Sequence, residues 1–528
     1  MNIPPWVRSW KSILATSLLF PPLALILVWA RPATRLSRKI FTSIYIALIF
    51  VLYLRFFFGL HMEVDGSGVM PMLSFQRKDE AHYAFLEKNR ARHTQLPLSE
   101  AIVEDARTPD ATLPDQLSKP ATAVPASSEQ APRRQPAASG IVKAYWTDFR
   151  GPQRNGVYAE KTEILTEWPA GGPPLAWKQP VGGGYASFVV AGGRAFTIEQ
   201  RRRQEVVAAY DLETGRELWT HAWDGEFRES MGGDGPRATP TWHEERIYAL
   251  GAKGEFRCLE ARSGRLIWRK NILQDNQAEN LQWGMSAAPL IVDDKVVVLP
   301  GGRSGQSVAA YSKLTGESIW KTLDDKQAYT SPMLVTLAGR RQILAVSARR
   351  AMGLAVEDGK LLWDFPWSTS YDVNSAQPLI IGENRVFVSA GYGHGAALVE
   401  IVSSQDGFMA KTVWQNVNMK NKFNSSVYYE GYIYGLDESI LSCIDAETGE
   451  RKWKGGRYGY GQLLLAGSRL LVSTESGELV LLEATPNQHS ELARFAAIEG
   501  KTWNHPAIAE GRLLVRNTTE MACFRISR

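Results

Sequence analysis

Cysteine is scarce: Cys258, Cys443 and Cys523 are the only three in 528 residues. They cannot make a paired framework, and with no CxxC or Cys/His spacing they supply neither structural zinc nor a thiol redox pair. Cys258 precedes Gly264 by six residues and Cys443 precedes Gly449 by six, so both read as small buried side chains in the same slot of a repeated unit. Also missing are a glycine-rich phosphate loop, a GxSxG nucleophile and an HExxH zinc motif. The net charge of +5 is local. Residues 1–62 hold seven cations (Arg8, Lys11, Arg31, Arg35, Arg38, Lys39, Arg55) and no acid, which leaves 53 cations against 55 acids, a net of −2, in the other 466. That balance offers nothing to a nucleic-acid backbone, so no nucleic-acid partner is expected.

What the chain does have is an ordinary globular composition, 44% apolar and 22% charged, with 17 Trp and 45 Gly. Large planar side chains alternating with turn residues suit many short strands. Two apolar runs open the sequence, 12–30 and 40–60, each long enough to span a bilayer as a helix. Pro21 and Pro22 shorten or kink the first. RPATRLSRK (31–39) puts four cations between them, and Glu63 and Asp65 follow the second. The positive-inside bias then places that loop in the cytoplasm and everything after residue 62 outside. Arg8 and Lys11 pull weakly the other way, and cleavage near Ala30 would leave one span with the same sidedness. The expected location is a cell inner membrane, with two N-terminal spans and the remainder periplasmic or otherwise extracytoplasmic.

Residues 63–140 read as a linker. A short exposed helix is expected within 76–93, where charge is mixed, and 96–140 is rich in Pro, Ala, Ser and Gln. Such a segment buries too little surface to fold and reads as a tether between membrane and domain.

From residue 175 onward one unit recurs: AAYDLETGRELW (208–219), CLEARSGRLIW (258–268), AAYSKLTGESIW (309–320), LAVEDGKLLW (354–363) and CIDAETGERKW (443–453). Each is strand, turn, strand, Trp. Trp177, Trp219, Trp268, Trp320, Trp363, Trp414 and Trp453 are 42, 49, 52, 43, 51 and 39 residues apart, with Phe495 a further 42 on. Eight apolar strand pairs recur at the same spacing, so two independent counts agree. A period of 40–50 residues with four short strands is a propeller blade. Glycine in the turn supplies positive φ, and the Trp is expected to wedge between neighbouring blades with its indole N–H on a backbone carbonyl. The chain ends on MACFRISR, a third strand with no fourth, while PPLAWKQPV (173–181) is a fourth strand with no blade before it. Pairing the two closes an all-β, eight-bladed propeller over 141–528 and leaves no open ring edge.

These units resemble the pyrroloquinoline-quinone (PQQ)-type propeller repeat, marked by Asp-x-x-Thr-Gly-x-x-x-Trp. The pattern is complete at Asp211, Thr214, Gly215 and Trp219, and at Asp445, Thr448, Gly449 and Trp453. Blade seven departs most, with TPNQHSELARF in place of turn and Trp. The stretches 145–157 and 231–242 look like a membrane-anchored bacterial subfamily. The resemblance implies one of two functions. In the family's dehydrogenases PQQ lies at the channel mouth against a Trp floor, beneath a disulfide of adjacent cysteines, with calcium and a catalytic Asp. Without an adjacent Cys pair or the enzymes' inserted loops, this chain reads as a non-catalytic scaffold for a protein partner or small polar ligand, with no confidently assigned cofactor, catalytic residue or metal ligand. The alternative is a PQQ- and calcium-dependent quinoprotein alcohol or sugar dehydrogenase that passes electrons to membrane quinone.

The segments leading into each innermost strand are polar or aromatic. They bring Tyr185, Arg237, Trp283, Tyr329, Asn374, Asn424, Gln462, Trp503 and His505 toward one channel mouth, a mixture of stacking faces, amides and cations suited to a planar anionic or polar ligand. The same polar walls would also serve a water-filled channel. Glu226, Glu229 and Asp234 form an acidic cluster before blade two, either calcium ligands or a solvated loop, and Arg201–Arg203 read as an exposed hairpin tip.

Overall fold

The computed structural model describes residues 13–14, 16–17, 20–31, 34–58, 61–64, 71–74, 80–94, 144–160, 164–165, 167–169, 171–405 and 407–527. Eight antiparallel sheets follow one another from residue 189 to the C-terminal strand. Blade one comprises Val189–Ala191, Arg194–Arg201, Gln204–Asp211 and Glu217–Asp224. Burial falls from the inner strand outward, with Val189–Ala191 wholly buried and Glu217–Asp224 mostly half-exposed. The core therefore lies between blades. Phe196, Ile198 and Val207 of blade one pack on Ile247, Ala249 and Leu259 of blade two, and this pairing recurs around the ring. The eighth sheet is Ala507–Ala509, Arg512–Arg516 and Glu520–Arg525, completed by Leu175–Pro180 from the start of the domain. Cys523 lies opposite Trp177 in that closing pair, as the unpaired terminal strands predict.

The conserved geometry between blades is a Trp on a glycine. The Trp177 indole donates to the Leu212 carbonyl at 2.9 Å, Trp219 to Ala261 at 3.0 Å, Trp268 to Lys313 at 3.2 Å, Trp414 to Ala446 at 3.0 Å and Trp453 to Thr485 at 2.8 Å, each partner in the next blade. Except at Trp453, whose partner blade has no turn glycine, each ring covers that blade's turn glycine so closely that no side chain fits beneath it. A Cβ on Gly215 would lie 2.5 Å from Trp177, on Gly359 2.7 Å from Trp320, and on Gly449 2.7 Å from Trp414. These glycines all have positive φ, +69° at Gly215 and +72° at Gly449. The Asp-x-x-Thr portion holds the turn, since the Asp211 carboxylate accepts from the Thr214 amide at 2.8 Å and hydroxyl at 2.7 Å. Blade seven, where the pattern lapses, has Ala493 at the register position of the Trp, and Phe495, expected in that slot, lies two residues further along and covers Gly172. Two indoles depart from the pattern: Trp363 bonds Gln342 of its own blade at 2.6 Å, and the Trp320 N–H reaches no carbonyl although its ring covers Gly359. The three cysteines occupy one slot, opposite Trp268, Trp453 and Trp177, and burial pushes each thiol up to about 12.

The N-terminal region corrects two expectations. Helix α1 (Pro21–Trp29) has nine residues, about 13 Å at 1.5 Å per residue, too short for the first expected span. Helix α2 (Leu36–Phe58) has 23 and is, among the described residues, the one long and apolar enough to cross a bilayer. Pro21 and Pro22 set the break, because neither donates the amide a continuous helix needs. The two helices pack together, with the Trp29 indole on the Ser43 hydroxyl at 3.1 Å. Helix α3 (Glu80–Thr94) forms where a helix was expected but is not an exposed linker element. His82, Leu86 and Arg90 share one face at i, i+4 spacing; Leu86 is buried and Arg90 is 7% exposed against the propeller. The Pro-rich stretch 96–140 lies outside the described residues.

Two glycines with the same φ of +69° separate turn strain from wedge packing, because Gly193 has nothing within 4 Å of a Cβ position whereas Gly215 has the Trp177 ring. Gly193→Ala is expected to destabilise by about 1–2 kcal/mol, the left-handed penalty alone. Gly215→Ala should lose about 1–3 kcal/mol more from overpacking, measured by urea titration. Equal losses would show that the Trp does not depend on the bare glycine.

Candidate functional site: an aromatic collar above a plugged channel

The inner strands all run from one end of the ring to the other, and the loops feeding them gather at their starting end, called here the mouth. Tyr185 leads into blade one, Arg237 into two, Trp283 into three, Tyr329 into four, Tyr371 into five, Phe423 into six, Tyr460 into seven and Trp503 into eight. Their side chains meet. Trp503 sits 4.6 Å from the Phe423 ring and 5.5 Å from Tyr185, and Phe423 is 5.5 Å from Tyr460. The Lys422 ammonium lies 5.0 Å from the Tyr460 ring and 4.8 Å from Tyr392, which packs at 5.5 Å on Tyr371. On the other flank the Arg237 guanidinium is 5.5 Å from the Tyr185 ring and 4.6 Å from Phe227, while Trp283 meets Tyr329 at 5.7 Å. With Lys501 4.4 Å over the Trp503 ring, all eight blades thus contribute to a collar of tilted and edge-on rings carrying three cations.

Polar groups fix the rings. The Trp503 indole donates to Glu475 at 2.8 Å, and the Tyr460 hydroxyl to Glu438 at 3.2 Å. Arg237 is held by the Gly233 carbonyl at 2.6 Å and by the Gly235 carbonyl, and desolvation lowers its pKa. Burial pushes Tyr329 and Tyr392 up to about 12, so both phenols stay protonated at neutral pH.

Below the collar the channel is filled by the chain itself. Ala144–Trp146 pairs with the inner strand of blade one, and Val157–Tyr158 runs parallel to that of blade seven. Between them residues 147–156 cross the axis on two arginines. Arg154 is 2% exposed and reaches the Ala288 carbonyl at 3.1 Å, Pro332 at 2.8 Å and Pro289, with Asp148 at 2.9 Å as its counter-ion. Arg150 is fully buried and bonds the Ser426 carbonyl at 2.7 Å and His505 at 3.1 Å; burial pulls it down to about 9, still charged at neutral pH. These bonds span carbonyls of separate blades, so the plug cross-braces the ring and replaces solvent along its axis.

Of the nine residues expected at the mouth, Tyr185, Arg237, Trp283, Tyr329 and Trp503 stand in the collar. The other four lie in the wall beneath it. Asn374 donates to the Ser347 and Trp367 carbonyls at 2.9 and 3.0 Å, and Gln462 to Phe423 and Trp503 at 3.2 and 2.9 Å. Asn424 accepts from Asn421 at 3.4 Å. His505 is 3% exposed; its Nδ1–H donates to the Pro506 carbonyl at 2.8 Å, leaving Nε2 to accept from Arg150. Sequence reasoning passed over Lys422, Phe423, Tyr460, Tyr371 and Tyr392. The signal was the aromatic one or two places ahead of each amide, in NKFNSSV and GYGQLL, since the earlier residue of such a loop stands further out. It also passed over Arg150 and Arg154, which no local pattern distinguishes from surface arginines.

The acidic cluster is occupied by protein groups. Glu226 pairs with Arg203 and Arg228, Glu229 accepts from the Met231 and Gly232 amides, and Asp234 accepts from the Glu229 amide at 3.1 Å. Among the described residues no three carboxylate, His or Cys side chains gather as a metal ion would require. The residues present do not fit the PQQ and calcium set: the three thiols are buried singly in separate blades, and the Trp503 ring is already packed at a tilt against Tyr185 and Phe423.

Residues 202–455 match the family described as outer membrane protein assembly factor BamB. BamB from Moraxella catarrhalis is 15% identical, with a TM-score of 0.49 over 67% of this chain and 99% of that one. Quinohemoprotein alcohol dehydrogenase ADHIIG from Pseudomonas putida HK5 is 11% identical, with a TM-score of 0.51 over 72% and 80%. A 1-butanol dehydrogenase (cytochrome c) from Thauera butanivorans is 29% identical over 101 residues, which is 18% of this chain and 14% of the relative's length. Identities this low between structures carry the fold and nothing of the chemistry. The protein is an eight-bladed β-propeller whose repeats over residues 202–455 are of the PQQ-like, BamB type.

His505 makes stability depend on pH. Burial first, then the Arg150 charge, hold it well below the usual imidazole range. It is neutral when folded and takes up a proton when unfolded, so stability falls as pH drops below the unfolded value of about 6.5. Relative to His505→Gln, the unmodified protein should lose up to about 1.4 kcal/mol per pH unit from pH 6.5 to 5.5 in denaturant titrations. Parallel curves would mean that the imidazole is protonated in the fold.

Proposed function

We propose that this chain is a membrane-anchored, extracytoplasmic binding scaffold whose collar captures a protein segment or small polar ligand. The observation that carries this reading is the collar itself, eight blades converging on packed rings and three cations above an axis closed by Arg150 and Arg154. Such a surface has stacking faces, hydroxyl donors and cation–π edges but no aligned nucleophile, base or metal-ligating set among the described residues, so it suits recognition more than turnover. The anchor rests on helix α2. Leu36, Phe41, Ile44, Leu48 and Leu52 are exposed along its length, 76% at Phe41, whereas the core helix of a soluble domain would be covered. Arg31, Arg35, Arg38 and Lys39 at its start favour the cytoplasmic side for that end, which puts the propeller across the membrane. Its length and composition suit a signal sequence as well as an anchor.

The 101-residue likeness to a butanol dehydrogenase gives the quinoprotein reading its one specific support. A single comparison separates the two. With a photo-crosslinking residue at Tyr371, a 68% exposed collar position, the scaffold reading expects a discrete adduct in cells that disappears on Trp503→Ala. It also expects no rise in melting temperature when PQQ and calcium are added to residues 141–528. A rise of several degrees together with dye-linked alcohol oxidation would overturn the scaffold and establish the enzyme.

A further inference from the structure

Helix α3 is fixed to the propeller by its whole inner face. Arg90 inserts between blades eight and one, donating to Gln179 at 2.6 Å and the Pro180 carbonyl at 2.8 Å, pairing with Glu217 at 3.3 Å and lying 4.9 Å over the Tyr210 ring. This guanidinium joins a buried network in which Glu199 is held ionised by Arg201, Arg516 and Arg90. One turn earlier Glu87 pairs with Arg202 at 3.2 Å, and at the start of the helix His82 bonds the Val181 carbonyl at 3.0 Å. Replacing so many bonds in a desolvated groove would leave buried charges unpaired, so the contact is a firm one.

The direction of the helix matters. Its N-terminal residues His82 and Tyr83 line a cavity of about 340 Å³ with Gly183, Arg228, Asp234 and Thr518, all at the mouth, while Arg90 lies lower on the flank. The end of α3 that leads back to α2 is therefore the mouth end. Between them His61–Val64 and Pro71–Ser74 form a hairpin in which His61 faces Ser74, so that hairpin adds little reach. Three steps from Phe58 to His61 and six from Ser74 to Glu80 extend at most roughly 30 Å. The opposite end of the ring is further by a blade height, roughly 25 Å for the eight residues Arg194–Arg201.

We infer that helix α3 is a clasp that holds the propeller with its aromatic collar toward the membrane surface, so that the collar meets ligands presented at the bilayer and not those arriving from the far side. This rests on α2 as the anchor. The Pro-rich segment 96–140 then joins two points on the propeller, Thr94 on its flank and Ala144 at the end opposite the mouth, and does not set the distance to the membrane.

The three cysteines are buried, so a thiol fluorophore reports an introduced site. Met231→Cys labels the mouth (42% exposed) and Leu314→Cys the opposite end of the neighbouring blade (51% exposed). In full-length protein reconstituted in vesicles that carry a headgroup-attached quencher, quenching at Met231→Cys should be at least about twofold that at Leu314→Cys. Equal or inverted quenching overturns the orientation. Arg90→Ala, and separately Glu87→Arg at an exposed position, should bring the ratio toward one; a ratio unmoved by both overturns the clasp. Flotation of the unlabelled protein with vesicles tests the anchor by itself, because a chain that does not float has lost the anchor, not the orientation.

Discussion

Five of the eight blade junctions are made by one indole ring laid on a bare glycine, at Trp177, Trp219, Trp268, Trp320 and Trp414, and at four of them its N–H reaches a neighbouring carbonyl. The interaction needs three things at once: a flat apolar face to bury, a turn with no Cβ, and a carbonyl left free by that turn. Positive φ at Gly215, Gly264, Gly316, Gly359 and Gly449 meets the second requirement and shapes the turn in the same step. Since four-stranded blades bury little within themselves, the apolar clusters lie between blades, and the wedge sets the angle at which those surfaces meet. Closure follows the same rule. Trp177, from a strand that precedes every blade, covers Gly215 of blade one while its strand pairs with the last.

A ring closed in this way leaves an axial hole, and the chain fills it with its own lead-in. Arg150 and Arg154 carry charge into the most desolvated part of the molecule. That is tolerable because the inner strands begin with carbonyls pointing across the axis, four of which the two guanidinium groups collect, with the plug's own Asn155 carbonyl as a fifth acceptor. The plug turns a potential through-channel into a closed floor beneath the aromatic collar. Helix α3 is fixed to the flank of the ring through a third buried arginine, Arg90. Three arginines with no shared motif thus close the axis and dock the one helix that packs on the propeller's flank among the described residues.

The legible part of the fold was the part that repeats. Trp219 and Trp453 announce themselves because the Asp, Thr and Gly before them recur at fixed offsets, and the two missing half-blades at the ends pointed to closure. The first apolar run was misleading, because hydropathy counts Pro21 and Pro22 as compatible residues while the backbone counts two lost donors. At the mouth the lead-in loops were correctly placed, but Asn374, Asn424, Gln462 and His505 were grouped with residues that stand further out. A loop of five or six residues changes depth along its length, and no local pattern says at which residue it turns into the wall.

Periodicity by itself determined blade number, strand order and the recurring slots of Trp, Gly and Cys, because each of these is a relation between residues close in sequence and repeated from blade to blade; closure followed from the two strands, 173–181 and 521–528, that the repeat left unpaired. Charge and hydropathy determined that the N-terminal end differs from the rest. Only the tertiary structure decided that Lys422 lies between Tyr392 and Tyr460, that Arg154 spans three blades, and that an unremarkable charged helix docks on the flank through Arg90. Those contacts join residues up to hundreds of positions apart, and they exist because the closed ring brings loop ends and axis together. The chemistry of each side chain is local, but the company it keeps is not.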